Sequence, residues 1–154
     1  MQLFSPSFNS GDFIPQRYTC EGEDVSIPLT WQALPQAAVS LALIMDDPDA
    51  PGATWVHWLV YNLPVSLPGL PQSVPPDPLL PQGGLHGLNS WGRLGYGGPC
   101  PPSGVHRYFF RLFALDALLE IGPGLAKEAL LASMREHVLQ EAQLIGLYQR
   151  SRQE

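Results

Sequence analysis

Residues 39–46 read VSLALIMD, an almost continuously apolar run that ends at Asp47-Pro48. So short an apolar run next to a chain break is typical of a strand that is covered on both faces. The stretches WVHWLVYN (55–62) and VHRYFFRLFAL (105–115) are rich in aromatic and β-branched residues, which favour strands. Together these three segments predict a mainly β protein.

The second and third of these strands each place polar rings on one face, because side chains alternate along a strand. One face of the second strand carries Trp55 and His57, and one face of the third carries His106 and Tyr108. Arg107 lies on the face opposite His106, so we expect it to form a structural ion pair rather than to bind a ligand.

The chain between and after these strands is irregular. Residues 64–82 are rich in proline, which lacks the amide donor that sheets need, and residues 83–104 are rich in glycine. Connections of about forty residues are functional or disordered, and the aromatic residues in this one argue against disorder. Apolar residues at four-residue spacing predict a helix from about 125 to 136, whereas the tail 137–150 is ambiguous by pattern.

The composition indicates one globular domain spanning residues 1–154. Apolar residues make up 45% of the chain and charged residues 14%, which is unlike a disordered protein. The net charge is −6, and Lys and Arg do not cluster anywhere, so we expect neither nucleic acid nor an anionic membrane surface as a partner. No apolar run approaches the ~18 residues of a membrane span, so we expect no integral membrane association.

The beginning of the chain, MQLFSPSFNSGDF, lacks the basic and apolar regions of a signal peptide, so we expect a cytoplasmic protein. Cys20 and Cys100 are far apart in sequence and do not have metal-site spacing. In a reducing compartment two free, buried thiols are expected, although the sequence leaves a disulfide between them open. It also leaves open whether Pro48 and Pro51 follow cis or trans peptide bonds.

Two polar segments border the predicted strands. DPDAP (47–51) is a stiff turn, because each proline restricts its own backbone and the residue before it, and its carboxylates therefore hold fixed positions. His57 follows on the next strand. In GGPCPPSGVHRY (97–108) the glycines allow close backbone approach to a ligand, and their amides can form an anion-binding concavity.

If these two segments meet in space, they combine two imidazoles, a phenol and one or two carboxylates in one pocket. Imidazole and phenol donors suit a phosphate or carboxylate ligand, and the same set is compatible with general acid–base chemistry. The plainer interpretation also stays open: His57 and His106 can be core histidines, and Asp47 and Asp49 can be turn carboxylates.

The segments DPDAP (47–51), WVHW (55–58) and GPCPPSGVHRY (98–108) resemble the signature segments of the phosphatidylethanolamine-binding protein family. The form is similar to the short bacterial Raf kinase inhibitor-like branch. RYTCEGEDVSIPLTW (17–31) and the tail HVLQEAQLIGLYQR (137–150) are similar to that branch as well, so the resemblance covers nearly the whole chain.

The resemblance implies an antiparallel β-sandwich of a large and a small sheet, with one or two short helices toward the C-terminal side and a strand over 138–149. It also implies a homodimer, a ligand with a phosphate-type head group and, for some members, inhibition of kinases or proteases. The ligand-binding residues that it implies are Asp47, Asp49, Pro51, Trp55, His57, Gly98, His106 and Tyr108.

Three functions therefore stay open. The first is a binding module for a small phosphate- or carboxylate-bearing ligand, with a regulatory or inhibitory role and an unknown protein partner. The second is a metal-dependent hydrolase that uses the His and Asp cluster. The third is an inhibitor of a kinase or protease that acts through the proline-rich loop. No catalytic motif is recognised, so we expect no enzyme activity, no metal and no cofactor. His86 and His137 have no motif around them and are expected to be surface or structural residues.

Overall fold

The computed structural model describes residues 1–151 and confirms a mainly β fold. Eight strands and one α-helix follow one another along this part of the chain: β1 Gln2–Phe4, β2 Leu29–Gln32, β3 Ser40–Asp47, β4 Trp55–Pro64, β5 Gly69–Leu70, β6 Leu85–His86, β7 His106–Leu115, α1 Lys127–Met134 and β8 Val138–Tyr148. They form an antiparallel sheet of three strands, β1-β2-β5, and one of five strands, β6-β4-β3-β7-β8.

The strand β3 is the centre of the molecule. All eight of its residues are buried, because β4 and β7 pair with its two edges and apolar layers cover both faces. One layer packs between the two sheets and includes Trp31, Trp58 and Phe110. The other includes Tyr61 and lies under α1. This double cover explains why β3 is continuously apolar from Leu41 to Met45.

The tail is a strand, as the resemblance implied. β8 pairs with β7 along its full length, from His106 opposite Tyr148 to Leu115 opposite Val138. The helix before it is shorter than predicted, since Ala126 is its N-cap and the chain leaves the helix at Arg135.

The long connection between β4 and β7 is ordered although it contains only the two-residue strands β5 and β6. Side chains from outside the connection bind its backbone: Trp31 donates to the carbonyl oxygen of Leu67 at 2.8 Å, and the Ser26 hydroxyl accepts from the amide of Val74 at 2.8 Å. These bonds satisfy backbone groups that a sheet would otherwise pair.

The expectation of two free, buried thiols was wrong. Cys20 and Cys100 form a disulfide, with their Cα atoms 5.4 Å apart, and Cys20 is exposed. The fold brings these two segments together across 80 residues, and the amide of Cys20 donates to the carbonyl oxygen of Pro99 at 3.1 Å. A contact between such distant segments has no local signature in the sequence.

Candidate functional site

The turn after β3 begins with a buried carboxylate whose two oxygens are both used. Asp47 Oδ1 accepts from the amide of Asp49 at 2.8 Å, which closes the turn, and Oδ2 accepts from Nδ1 of His106 at 2.6 Å. No peptide bond among residues 1–151 is cis, so Pro48 and Pro51 both follow trans bonds. Asp47 therefore orients the His106 ring and leaves its Nε2 as the free nitrogen.

His57 on β4 is held by the glycine-rich loop. Its Nδ1 lies 2.6 Å from the carbonyl oxygen of Gly97, and the amide of Gly97 donates to the carbonyl oxygen of His57 at 2.9 Å. A carbonyl oxygen only accepts, so Nδ1 carries the proton and, in the neutral ring, Nε2 is an acceptor. Burial lowers the pKa of His57, which favours this neutral form.

Tyr108 carries a buried hydroxyl that has no hydrogen-bond partner among residues 1–151. Its ring lies edge-on to His57, with centroids 5.2 Å apart, and stacks beside His106, with centroids 6.5 Å apart. Burial and the charge of Asp47 raise its pKa, so the hydroxyl remains a proton donor. The nearby Cys100 amide acts in the opposite direction on that pKa, but it makes no hydrogen bond of normal geometry to the hydroxyl.

These groups border one cavity of about 380 Å³, which is within the ~300–1,000 Å³ of small-molecule pockets. It contains six of the eight residues predicted for the site: Asp47, Pro51, Trp55, His57, His106 and Tyr108. The two segments that the sequence separates by about fifty residues do meet in space, as the site hypothesis required.

Gly98 and Asp49, the other two predicted residues, do not line this cavity. The amide of Gly98 donates to Asp24 at 2.8 Å, and a side chain at Gly98 would collide with the backbone of Tyr18. This glycine therefore permits the close packing of two loops.

Asp49 binds Arg107 instead of facing the cavity. It accepts from the Arg107 amide, Nε and Nη2 at 2.8–2.9 Å, and these bonds lower the pKa of Asp49 to about 2. The expected ion pair of Arg107 is confirmed, and Asp49 is its partner.

The cavity also has walls that the sequence analysis did not assign to it: Ala50, Trp91, Cys100, Pro101 and Pro102. Trp91 is the largest of them and comes from the glycine-rich connection. An isolated tryptophan in a loop of small residues was the available signal, but nothing in the sequence shows which surface it reaches.

The remaining histidines are structural or exposed. The ring of His86 is buried, accepts from Trp58 Nε1 at 3.0 Å and donates to the carbonyl oxygen of Asp77 at 2.7 Å. His137 bonds to Asp116 at the surface. The surface alternative is therefore correct for His137, and the structural one for His86.

The metal-dependent hydrolase finds no support in this geometry. Within residues 1–151, no group of three or more His, Cys, Asp or Glu side chains is placed to hold a metal ion. The Cys20–Cys100 disulfide also means that Cys100 has no free thiol to act as a nucleophile.

Among residues 1–151, no helix has the length and apolar character that a membrane crossing requires.

Comparisons with known proteins agree with the fold and the motifs. Residues 4–149 match the family described as phosphatidylethanolamine-binding protein. A UPF0098 protein of Methanothermobacter thermautotrophicus is 55% identical over 150 residues, which cover 97% of this chain and 99% of the relative. A UPF0098 protein of Aquifex aeolicus is 44% identical over 97% of this chain and 89% of its own length.

Two crystal structures are also similar to this chain. A homolog of phosphatidylethanolamine-binding protein from Chlamydia trachomatis has a TM-score of 0.89 at 39% identity, covering 97% of both chains. YbcL of E. coli, described as a new member of the mammalian family, has a TM-score of 0.90 at 30% identity, covering 97% of this chain and 98% of its own.

Proposed function

The chain belongs to the phosphatidylethanolamine-binding protein family, and we propose that it binds a small phosphate- or carboxylate-bearing ligand between His57, His106 and Tyr108. The observation that carries this proposal is the Tyr108 hydroxyl, which is buried at the cavity without a partner in residues 1–151. A buried, unsatisfied polar group costs about 1–3 kcal/mol. An anionic oxygen in the cavity would accept from this hydroxyl and remove that cost.

The two imidazoles would complete the anion site, since both rings are neighbours of the Tyr108 ring. Each has its Nδ1 bound to a protein acceptor, so Nε2 is the nitrogen left for a ligand. The protein groups that hold Nδ1 also fix both rings, so little side-chain entropy would be lost on binding.

The candidate site has no permanent positive charge, because neither Lys nor Arg lines the cavity within the described chain. Positive charge can therefore come only from an imidazole that takes up a proton. An anion that binds His57 has to be accompanied by a proton, carried either by the ligand or by the ring. This favours weakly charged ligands, such as a carboxylate or a singly charged phosphate ester.

Under this proposal the protein is a binding module with a regulatory or inhibitory role and uses no catalytic residue or cofactor. Three further properties stay predictions: a protein partner, inhibition of a kinase or protease through the proline-rich loop, and a homodimer.

A cytoplasmic location also stays a prediction. The Cys20–Cys100 disulfide argues against a strongly reducing compartment, since disulfides are rare there outside hyperthermophiles.

Nitrogen-detected NMR of the four histidine rings tests the proposal. Titration with inorganic phosphate or acetate is expected to shift Nε2 of His57 and His106. His86 and His137 lie elsewhere and serve as internal controls. Unchanged His57 and His106 signals at about tens of millimolar anion, a concentration that saturates even weak millimolar sites, would exclude the site.

A further inference from the structure

We propose that Trp91, together with Trp55, forms an aromatic subsite at the mouth of the cavity, and that the ligand is an anion bearing a planar aromatic group. This inference rests on the proposed anion binding and names the part of the ligand that lies beyond the oxyanion.

The two tryptophans are unusually accessible for side chains of their size. Trp55 is 37% exposed and Trp91 is 40% exposed. They meet edge to face, with centroids 5.5 Å apart, and Trp91 also stands edge-on to His57 at 5.1 Å. The apolar surface therefore begins directly beside one of the proposed anion-binding rings.

Trp91 is held in place by the loop that carries it. The side chain of Asn89 is buried and accepts from the amides of Trp91 and Arg93 at 3.0 and 3.2 Å. The Trp91 ring packs directly on Gly97, where a side chain would collide with it. A rigid ring exposes the same surface before and after binding, so stacking on it costs little ordering entropy.

The volume of the cavity exceeds that of an inorganic anion. At ~30 Å³ per water, 380 Å³ corresponds to roughly a dozen waters, and a phosphate group fills only part of that space. The polar lining residues Asp47, His57, His106 and Tyr108 are buried, whereas Trp55 and Trp91 are partly exposed to solvent. The ligand that fits has an anionic end and an apolar end.

We expect the second end of the ligand to be an aromatic ring rather than a cationic group, because a protein cation already lies over Trp91. The guanidinium of Arg93 is 5.9 Å from the Trp91 ring centroid. A second cation at this ring would be repelled by the Arg93 guanidinium. A neutral planar ring stacks on tryptophan without that repulsion.

The test compares three probes with one kind of head group: methyl phosphate, phenyl phosphate and phosphorylethanolamine. Their dissociation constants are measured from the His57 and His106 ring signals. Phenyl phosphate is expected to bind about tenfold more tightly than methyl phosphate, which corresponds to ~1.4 kcal/mol and lies within the range of one aromatic contact. In Trp91→Ala the ratio of the two constants is expected to fall close to one. Leu79→Ala removes an exposed apolar side chain that does not line the cavity and should leave the ratio unchanged.

The other possible results of this binding experiment separate the aromatic subsite from anion binding itself. Equal affinity for methyl and phenyl phosphate in the wild type overturns the subsite and leaves anion binding intact, whereas no binding of any probe overturns the proposed function. Tighter binding of phosphorylethanolamine than of phenyl phosphate replaces the aromatic group by a cation. If Trp91→Ala does not fold, Trp91→Leu decides: it fills the space without an aromatic ring and should lower the ratio, whereas full retention of the wild-type ratio would remove Trp91 from the subsite.

Discussion

Asp46 and Asp47 are consecutive residues of β3, and the sheet places them in two different environments. Asp46 is fully buried and accepts from Arg111 Nη2 at 3.0 Å and from Lys127 Nζ at 2.6 Å. Asp47 is almost as buried, yet its partners are the His106 ring and a backbone amide. Two permanent cations compensate the first carboxylate, whereas only a titratable ring faces the second.

The difference shows that the two faces of β3 have different roles, one in holding the fold together and one in forming the candidate site. Alternation along β3 sends Asp46 toward the face that α1 covers, where its pair with Lys127 joins the helix to the sheet and its pair with Arg111 joins β3 to β7. Asp47 lies on the other face, beside the cavity. Each face has a buried polar atom without a partner among residues 1–151, Arg111 Nε on the Asp46 face and the Tyr108 hydroxyl on the other, but of the two residues only Tyr108 lines the cavity, where a ligand can reach it.

The largest effect is expected at Asp46. Asp46→Asn leaves Arg111 and Lys127 without their anion, and breaking a buried pair on one side should lower the free energy of unfolding by about 3 kcal/mol. Urea denaturation with an unchanged m-value would measure this loss. Asp12→Asn removes an exposed carboxylate and is the control. Equal midpoints for the two variants would contradict the structural role.

On the other face, Tyr108→Phe should weaken binding without weakening the fold. Loss of a hydrogen bond to a charged group should reduce phosphate affinity by about 1.5–3 kcal/mol. The free protein should be as stable as the wild type or more stable, because an unsatisfied hydroxyl is removed.

Tyr96→Phe is the matched control for Tyr108→Phe. The Tyr96 hydroxyl donates to the carbonyl oxygen of Tyr18 at 2.6 Å, outside the cavity. Its removal should cost about 1 kcal/mol of stability and leave phosphate affinity unchanged. Reversed effects of the two variants would show that Tyr108, and not Tyr96, has the structural role.

We also predict that anion affinity on the Asp47 side of the sheet depends on pH near neutrality, because His57 lines the cavity there. Burial lowers the pKa of free His57, and a bound anion stabilises its protonated form, so binding takes up a proton. Acetate affinity should therefore increase as pH falls toward that pKa, by up to about tenfold per unit. Calorimetry in two buffers of different ionisation enthalpy measures the proton uptake. His57→Gln should abolish the pH dependence, and a flat profile in the wild type would contradict the charge model.

The smallest effect is expected at Asp49, the third carboxylate of the segment. Its pair with Arg107 is partly solvated, so Asp49→Asn should cost less than about 1 kcal/mol at neutral pH. Because the pKa of Asp49 is lowered to about 2, this stability is present above its unfolded value of about 3.9 and is lost as pH falls through 2. Urea midpoints of variant and wild type should converge at that pH. A large loss of phosphate affinity in Asp49→Asn would instead show that Asp49 contributes to ligand binding.

The strands β3, β4 and β7 could be predicted because the information that specifies them is local. Apolar runs and two-residue alternation mark β3, β4 and β7, and six cavity residues follow from the motifs on or next to them. The roles of Gly98 and Asp49 could not be predicted in the same way. A loop glycine and a turn carboxylate have several uses, and the neighbours Tyr18 and Arg107 decide between them.

The sequence by itself determined the mainly β architecture and the stiff acidic turn, and it named His57, His106 and Tyr108 as candidates without showing that they meet. Only the tertiary structure decided that Cys20 bonds to Cys100, that Trp91 borders the cavity, and that Asp46 and not Asp47 meets the cations. The physical reason is distance along the chain: backbone preference acts between neighbouring residues, whereas each of these contacts joins segments that only packing brings together.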